Sequence, residues 1–283
     1  MSINYEHFTF SGGEEQVTVK ECGNTFVHRI ESSQDLVKLG LIKEALPTDA
    51  LVSIMIPYFP YARQDRVMNP GEAHALRFVC KYLASLGFYK IFTHDIHSDV
   101  AFGMLPNLVN IPRYEALKGP MKDGEFELPW EGADEYDTII SPDGGALKHV
   151  YQDAQSLGID HVVCANKVRD VTTGDITHTE VGCDLKKIQG DKVIITDDIC
   201  DGGRTFIELA KVLKEDYQVH SVDLYVTHGI FSKGLGALSV YVDRVITTDT
   251  RTNPEEYLET SRFQSEDIPS LEKYFTILEL IGE

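Results

Sequence analysis

The chain has 283 residues, of which 42% are hydrophobic and 25% are charged, proportions typical of a globular protein. Its formal net charge of -19 disfavours a nucleic-acid-binding protein, because such proteins carry a basic surface, and no apolar run approaches the roughly 20 residues that cross a membrane. The five cysteines are dispersed without a CxxC pair, so we expect free thiols and a cytoplasmic location.

Strand-like apolar runs alternate with amphipathic helical segments along the sequence. The strands are predicted at 52–56, 90–93, 138–141, 161–164, 193–196, 222–226 and 244–247. The helices that separate them are predicted over 73–86, 146–157 and 206–213. Strands that alternate with helices indicate an α/β fold with mostly parallel sheets, in which ligands bind at the carboxyl ends of the strands.

Two stretches interrupt this alternation. Residues 118–135 are polar and rich in glycine, proline and acidic residues, which is typical of a linker or a long loop. We therefore expect two α/β domains that are joined near this stretch. Residues 171–183 are rich in threonine, glycine and aspartate, and their pattern suggests a β-hairpin flap.

The run 56–66 follows the first buried strand and contains two prolines and two tyrosines that stiffen it. Its Arg63, Gln64 and Arg66 side chains offer planar donors suited to phosphate oxygens or to the edge of a purine. The alternative is an ordinary surface turn. Two prolines and three charges within a few residues favour a shaped binding loop over that alternative.

Two histidines, His94 and His97, lie at the end of the next strand. Such a pair can ligate zinc, but no cysteine or third histidine completes a zinc site. A histidine that touches a phosphate or a hydrated metal is the better functional interpretation. The alternative is that a histidine at a strand end has only a structural role.

The segment 141–145 connects a strand to a helix. Its glycines, Gly144 and Gly145, expose backbone N–H groups, and the Asp143 carboxylate is suited to a metal-bound phosphate. The alternative is that Asp143 starts the helix as its N-cap. The two interpretations are compatible.

Lys167 and Arg169 follow the strand at 161–164 and lead into the expected flap. Cations two residues apart on an extended segment are expected to point the same way. A flap that carries them can close over a transferring phosphoryl group and stabilise its charge. The alternative is a solvated loop.

The segment 193–206 is the most informative in the sequence. An apolar strand stops at Asp197 and Asp198, and a loop of Asp201, Gly202 and Gly203 then leads into a helix. The glycines let backbone N–H groups converge on a phosphate at the helix N-terminus. The acid pair instead suits hydroxyl groups or a divalent metal. Phosphate and vicinal hydroxyls side by side describe a sugar phosphate.

Together these motifs resemble those of the ribose-phosphate pyrophosphokinase (phosphoribosyl pyrophosphate synthetase) family. The chain is similar to a short, divergent member of that family. The run 57–66 is nearly identical to the family signature. The resemblance continues in the family's order through His97, 141–145, 167–169, 197–205 and 227–228. It implies two phosphoribosyltransferase-like α/β domains, 1–132 on the ATP side and 133–283 on the ribose 5-phosphate side.

The resemblance implies an activity as well as a fold. The expected reaction transfers the pyrophosphoryl group of Mg-ATP to the anomeric hydroxyl of ribose 5-phosphate, with Mg²⁺ as the cofactor. The implied partners are ATP, ribose 5-phosphate and further copies of this chain, at least as a dimer. No nucleic-acid or membrane partner is expected.

The resemblance also implies roles by position. The residues implied to contact ATP are Phe10, Glu14, Arg63, Gln64, Asp65, Arg66 and His97. Those implied to bind ribose 5-phosphate are Asp197, Asp198, Asp201, Gly202, Gly203, Arg204 and Thr205. Those implied to bind pyrophosphate are Asp143, Gly144 and Gly145. The implied metal contacts are His97 and Asp143, and the implied catalytic residues are Lys167, Arg169 and His97.

One position departs from the family in an informative way. Arg204 stands where the sugar-phosphate loop normally has glycine. If the backbone there requires a positive φ, an arginine is strained. Alternatively, its guanidinium adds a contact to the phosphate.

Two other functions remain open at this point. A phosphoribosyltransferase that consumes phosphoribosyl pyrophosphate shares the acid-pair loop, but it does not need the 63–66 segment or a second α/β half. A non-catalytic regulatory homologue is expected to lose flap cations or loop acids. This chain keeps Lys167, Arg169, Asp197 and Asp198, which favours an enzyme.

Overall fold

The computed structural model describes residues 2–122, 125–169, 176–182, 187–251 and 274–281, with only the backbone described at 125, 166–169 and 176–180. The chain divides into two compact units, Met1–Pro112 and Arg113–Glu283. This division lies before the expected boundary at 132/133. Its physical reason is that Arg113 and Leu117 are buried in the second unit, where Arg113 pairs with Asp153 of a helix.

The first unit contains a hairpin, a small sheet and three helices. Its elements are β1 (Asn4–Thr9), β2 (Glu15–Glu21), β3 (Thr25–Val27), α1 (Ser33–Ala45), β4 (Ser53–Met55), α2 (Ala75–Leu86), β5 (Ile91–His94), α3 (Val100–Met104) and β6 (Leu108–Ile111). β1 and β2 pair antiparallel, and the other strands form a four-stranded parallel sheet in the order β3-β4-β5-β6.

Helix α2 illustrates how the first unit builds its core. Leu76, Val79 and Leu83 recur at helical spacing and are fully buried, so one face of the helix packs on the sheet. The helix begins two residues inside the predicted range, after His74 accepts a hydrogen bond from the Arg77 amide at 3.1 Å.

The second unit is larger and holds the main sheet. Its elements are α4 (Arg113–Leu117), β7 (Met121–Lys122), β8 (Glu125–Phe126), β9 (Thr138–Ser141), α5 (Leu147–Leu157), β10 (His161–Arg169), β11 (Ile176–Val181), β12 (Lys192–Cys200), α6 (Arg204–Glu215), β13 (Ser221–Gly229), β14 (Arg244–Thr248) and β15 (Phe275–Leu278). Seven strands form one sheet in the order β11-β10-β9-β12-β13-β14-β15, parallel except for β11.

Helices cover both faces of this sheet. Ile140 and Ile195 belong to one core cluster, which includes the buried face of α6. The neighbouring Ile139 and Ile194 belong to a second cluster, which includes Val150 of α5. Alternate residues of each strand therefore pack into hydrophobic cores on opposite faces of the sheet. Because both faces are buried, these strands appear in the sequence as continuous apolar runs.

The predictions of an α/β class, of mostly parallel sheets and of each strand and helix in the sequence analysis are confirmed. None of the helices in the described ranges combines the length and apolar character needed to span a membrane. Cys22, Cys80, Cys164 and Cys200 are free thiols, as expected, and Cys183 lies outside the described residues.

Candidate functional site

The sheet of the second unit has a topological switch point beside β9. From β9 the chain runs to β10 on one side, and it later returns through β12 on the other side. In open α/β sheets, ligands bind outside the carboxyl ends of the strands at such a point. The segments 141–145 and 197–205 follow these two adjacent strands, so the fold brings them to the same edge of the sheet.

The loop after β12 has the geometry of an anion site. Strand β12 ends at Cys200, and Gly203 has a φ of 75°, a conformation that favours glycine. Helix α6 begins at the next residue, so the loop runs directly into a helix N-terminus. Backbone N–H groups and the helix dipole favour a negative charge at such a terminus.

Arg204 is the first residue of α6 and is not among the residues with a positive φ. The left-handed conformation falls on Gly203 instead, so the arginine carries none of the backbone strain considered above. Its Nε donates a hydrogen bond to Glu208 Oε1 at 2.7 Å, one helical turn along. The side chain is 74% exposed, which keeps the guanidinium at the surface beside the loop.

The acid pair lies immediately before this loop. Asp197 and Asp198 are half-buried, and the Asp198 amide donates to Asp197 Oδ1 at 2.9 Å. Burial and the neighbouring Asp198 carboxylate raise the pKa of Asp197 well above its usual range, while the Arg113 guanidinium opposes this shift. Two carboxylates in this position offer acceptors for hydroxyl groups or oxygen ligands for a cation.

A buried ionic network supports β12 from within the second unit. Arg113 Nε donates to Asp153 Oδ2 at 2.8 Å, and Thr196 Oγ1 donates to the same oxygen at 2.9 Å. The Arg113 and Asp153 side chains are 3% and 1% exposed. Since Thr196 directly precedes Asp197, this network fixes the strand where the acid pair begins.

This network was not predicted from the sequence. Asp153 lies three residues after Val150 and one before Ala154, both buried, so helical spacing puts it on the apolar face of α5. A charged residue at a core position of an amphipathic helix needs a buried partner. The position of Asp153 was therefore the sequence feature from which the network could have been predicted.

The loop after β9 is held by its own aspartate. Asp143 Oδ1 accepts hydrogen bonds from the amides of Gly145 at 3.0 Å and Ala146 at 3.2 Å. Ser141 Oγ donates to the Asp143 carbonyl at 2.7 Å. Asp143 is not the N-cap of the helix, because α5 begins at Leu147 after Ala146 and has no side-chain cap. The Asp143 bonds instead hold the loop that precedes the helix, and both glycines remain exposed to solvent.

The expected flap is a β-hairpin in its described backbone. β10 continues to Arg169, and β11 returns antiparallel to it, with Lys167 opposite Thr179. The register shift near the tip comes from an extra residue on β11, so Lys167 and Arg169 stay two positions apart on one strand. Their side chains and the tip at 170–175 lie outside the described part of the chain.

The first unit contains a second polar site. The segment 63–66 and the exposed His97 line a pocket of about 490 Å³, together with Met68, Glu72 and Ala73. The structure therefore brings together the residues that the sequence analysis singled out after β4 and β5. Tyr61 has a φ of 61°, a strained conformation for an aromatic residue that is frequent at functional loops.

A hydrogen bond ties the two loops of this pocket together. Ser98 Oγ donates to Asp65 Oδ2 at 2.8 Å, and Arg66 Nε donates to Asp65 Oδ1 at 3.1 Å. Burial alone would raise the pKa of Asp65, but the Ser98 and Arg66 donors outweigh it and lower that pKa. Ser98 was not singled out in the sequence, because a serine in a loop carries no distinctive pattern.

The strand-end histidines differ in their surroundings. His94 is buried and His97 is exposed at the pocket, and the buried Asp95 between them has a φ of 35°. Among the described residues, no group of three or more His, Cys, Asp or Glu side chains is arranged to hold a metal ion. A zinc site at His94 and His97 is thus unsupported in this part of the chain.

Phe10 and Glu14 lie at the tip of the β1–β2 hairpin. The Phe10 amide donates to the Glu14 carbonyl at 2.8 Å, and the Phe10 ring contacts the Phe8 ring edge-on at 4.6 Å between centroids. Both phenylalanines are about half exposed, at 52% for Phe8 and 50% for Phe10. Neither Phe10 nor Glu14 is among the residues that line the 490 Å³ pocket.

Comparison with known proteins identifies relatives over most of the chain. Residues 131–259 match the phosphoribosyl transferase domain family. The ribose-phosphate pyrophosphokinase of Pyrococcus abyssi is 30% identical over 257 residues, which cover 88% of this chain and 84% of that protein. The enzyme of the same name from Pyrococcus furiosus is 30% identical over 260 residues, covering 89% and 87%.

A solved structure has the same fold. The crystal structure of phosphoribosylpyrophosphate synthetase from Mycobacterium smegmatis aligns with a TM-score of 0.74 and 22% sequence identity. The alignment covers 99% of this chain and 87% of that one. The fold expected from the sequence, with phosphoribosyltransferase-like α/β architecture, is confirmed by this match and by the domain match.

Proposed function

The chain belongs to the ribose-phosphate pyrophosphokinase family and is an enzyme of that class, and from this premise we propose its reaction in detail. The enzyme transfers the pyrophosphoryl group of ATP to the anomeric hydroxyl of ribose 5-phosphate. The products are phosphoribosyl pyrophosphate and AMP. One observation carries this proposal: the chain combines a sugar-phosphate loop in its second unit with a separate pocket for polar ligands in its first unit.

We assign the acceptor to the loop after β12. The backbone N–H groups of the loop bind the 5-phosphate at the N-terminus of α6, together with the Arg204 side chain. The loop consists of Asp201, Gly202, Gly203, Arg204 and Thr205. Asp197 and Asp198 accept hydrogen bonds from the ribose hydroxyls. The half-buried position of the acid pair supports this role, because a neutral hydroxyl donor is compatible with two adjacent carboxylates.

We assign the donor nucleotide to the first unit. Arg63, Gln64 and Arg66 contact the ATP phosphates and base from the pocket, and Asp65 holds the loop that carries them. Phe10 and Glu14 do not line this pocket, so their contact with the adenine side rests on the family resemblance. His97 touches the triphosphate. The donor side chains of Arg63, Gln64 and Arg66 are exposed, and the backbone at Tyr61 is strained. Both features support a loop that is shaped to bind a ligand.

Transfer requires alignment and neutralisation of charge rather than covalent chemistry by the protein. The anomeric oxygen bonds to the β-phosphorus, the bond from that phosphorus to the oxygen of the α-phosphate breaks, and AMP leaves. The anomeric hydroxyl gives its proton to solvent water in the same step, since no side chain is assigned as a general base. Lys167 and Arg169 of the hairpin stabilise the charge of the transferring group, and 143–145 hold it at the switch point.

The Asp143 carboxylate fits magnesium, because this hard cation prefers oxygen ligands. No three-residue metal cluster occurs among the described residues, and Mg²⁺ commonly binds through one or two protein ligands plus substrate phosphates. Asp143 in the second unit and His97 in the first unit are each a side chain that would hold such an ion. When bound with ATP, the ion would neutralise phosphate charge. Assembly of at least two copies of this chain stays a prediction.

A transferase that consumes phosphoribosyl pyrophosphate is the competing function. The direct test is to incubate the purified protein with Mg-ATP and ribose 5-phosphate, and separately with phosphoribosyl pyrophosphate and nucleobases. AMP formation that depends on ribose 5-phosphate supports the proposal. Base transfer without AMP formation would establish the competing function instead.

Replacing Ser98 by alanine tests the donor pocket. The variant loses the hydrogen bond that holds Asp65, so the 63–66 loop is less well ordered. We expect the KM for ATP to rise about fivefold, with little change in the KM for ribose 5-phosphate. Steady-state kinetics with each substrate varied in turn measures both values.

Ser85→Ala is the matched control for this variant. Ser85 Oγ donates to the Tyr82 carbonyl at 2.6 Å on the exposed end of α2, away from the pocket residues. The control should leave both KM values unchanged. If Ser98→Ala and wild type had equal KM values for ATP, the Ser98–Asp65 hydrogen bond would have no part in ATP binding.

A further inference from the structure

The loop that follows β13 is fastened to the sugar-phosphate loop. The amides of Ile230 and Phe231 donate to the Cys200 carbonyl at 2.9 and 3.1 Å. The Ser232 amide donates to the Asp201 carbonyl at 3.0 Å, and Ser232 Oγ donates to Asp201 Oδ1 at 2.6 Å. These four bonds fix the segment that contains Ser232 and its neighbour Lys233 relative to the phosphate loop.

A strained residue anchors the same segment. Phe231 is 1% exposed and has a φ of 45°, in the left-handed region that a bulky side chain rarely adopts. Its ring packs on Gly229, where an added Cβ would collide with it. Such strain persists only where surrounding contacts over-determine the backbone, so the position of the next residues is well defined.

Lys233 lies over the glycine at the centre of the phosphate loop. A Cβ built on Gly202 would lie 3.7 Å from both Cδ and Cε of Lys233, which is ordinary van der Waals contact. The aliphatic stem therefore crosses Gly202, and the ammonium group lies beside the loop. Lys233 is exposed, and it makes no ion pair or hydrogen bond in the part of the chain that the structure describes.

The cations of α6 that form ion pairs have carboxylate partners. Lys214 Nζ lies 2.7 Å from Asp243 Oδ1, Lys211 Nζ lies 3.9 Å from Glu215 Oε2, and the Arg204 guanidinium contacts Glu208. Lys233 differs from them because its ammonium has no carboxylate partner among the described residues. It is the lysine that the fold holds against the loop itself.

The net negative charge of the phosphate loop opposes phosphate binding unless another cation lies nearby. The segment 197–205 carries three carboxylates and one guanidinium, so it repels a dianionic phosphate in spite of the helix dipole. A sugar phosphate carries a charge near -2 at neutral pH. A further cation beside Gly202 offsets this repulsion.

We propose that Lys233 is a further binding residue for the 5-phosphate of ribose 5-phosphate. This inference rests on the proposed function of the loop. The Lys233 ammonium donates charge-assisted hydrogen bonds to the phosphate, while its aliphatic stem packs beside Gly202. Its contribution is the same in the ground state and in the transition state, because the 5-phosphate is remote from the reacting phosphorus.

The test replaces Lys233 by methionine, which keeps an unbranched stem over Gly202 and removes the charge. We expect the KM for ribose 5-phosphate and the dissociation constant measured by calorimetry to rise about tenfold. The KM for ATP and kcat should stay within about twofold of wild type. Lys233→Arg, which restores the charge, should bind ribose 5-phosphate nearly as well as wild type.

Lys211→Met is the matched control, because Lys211 is an exposed lysine of α6 that pairs with Glu215. Lys211→Met should change neither the KM nor the dissociation constant for ribose 5-phosphate. A KM for ribose 5-phosphate that is unchanged in Lys233→Met, in an active enzyme, would overturn the role of Lys233 and leave the proposed function standing. A lowered kcat with unchanged binding would overturn it as well. A wild-type protein that binds no ribose 5-phosphate would overturn both.

Discussion

Replacing Lys167 by alanine is expected to lower turnover by about a thousandfold while leaving ribose 5-phosphate binding nearly intact. The reason is that a cation aimed at a transferring phosphoryl group acts chiefly in the transition state, where single charged groups of this kind contribute factors of this size. The sugar phosphate binds to a different element, the loop after β12. Steady-state kinetics and calorimetry with ribose 5-phosphate separate the two effects.

Lys187→Ala is the control for this loss. Lys187 is an exposed lysine that follows the hairpin in sequence, and its replacement removes the same charge outside the β10 strand. Turnover should be unchanged in this control. If Lys167→Ala retained wild-type turnover, Lys167 would have no part in the mechanism.

Replacing Arg113 by methionine is expected to destabilise the second unit by about 3–5 kcal/mol. The change leaves the Asp153 carboxylate, which is 1% exposed, without the guanidinium that pairs with it. Removing one partner of a buried ion pair is far costlier than removing both. Denaturant unfolding followed by a probe in the second unit measures the loss, since a chain of two units need not unfold in one transition.

An exposed arginine supplies the control for this stability change. Arg204→Met removes an ion pair with Glu208 in which the arginine is 74% exposed, and it should cost less than about 1 kcal/mol. The double variant Arg113→Met/Asp153→Leu should recover much of the lost stability, because no unpaired charge then remains buried. An Arg113→Met protein as stable as wild type would show that the pair is not needed in the core.

The sequence predicted the architecture well because its strands are buried on both faces. Runs such as 193–196 read as continuous apolar segments, and each lies in the main sheet where the pattern puts it. The loops after these strands were likewise visible as clusters of glycine and charge. The order of the strands was not visible, so the switch point beside β9 appeared only with the fold.

Contacts between residues distant in sequence account for most of what was missed. The Arg113–Asp153 pair joins residues 40 positions apart, and the contact of Lys233 with Gly202 joins two loops that follow different strands. The backbone conformation at Arg204 was also not predictable from the sequence, although it concerns two adjacent residues. Only the backbone conformation assigns the positive φ to Gly203 and so removes the strain that the family comparison suggested.

We infer that one enzyme moves a pyrophosphoryl group intact from ATP to ribose 5-phosphate. ATP labelled with ³²P at the β-position tests this most directly when it is incubated with the protein, Mg²⁺ and ribose 5-phosphate. We expect the label to appear in phosphoribosyl pyrophosphate, with an equal amount of unlabelled AMP and no reaction when ribose 5-phosphate is omitted. Label that remains in ADP, or an absence of AMP, would contradict it.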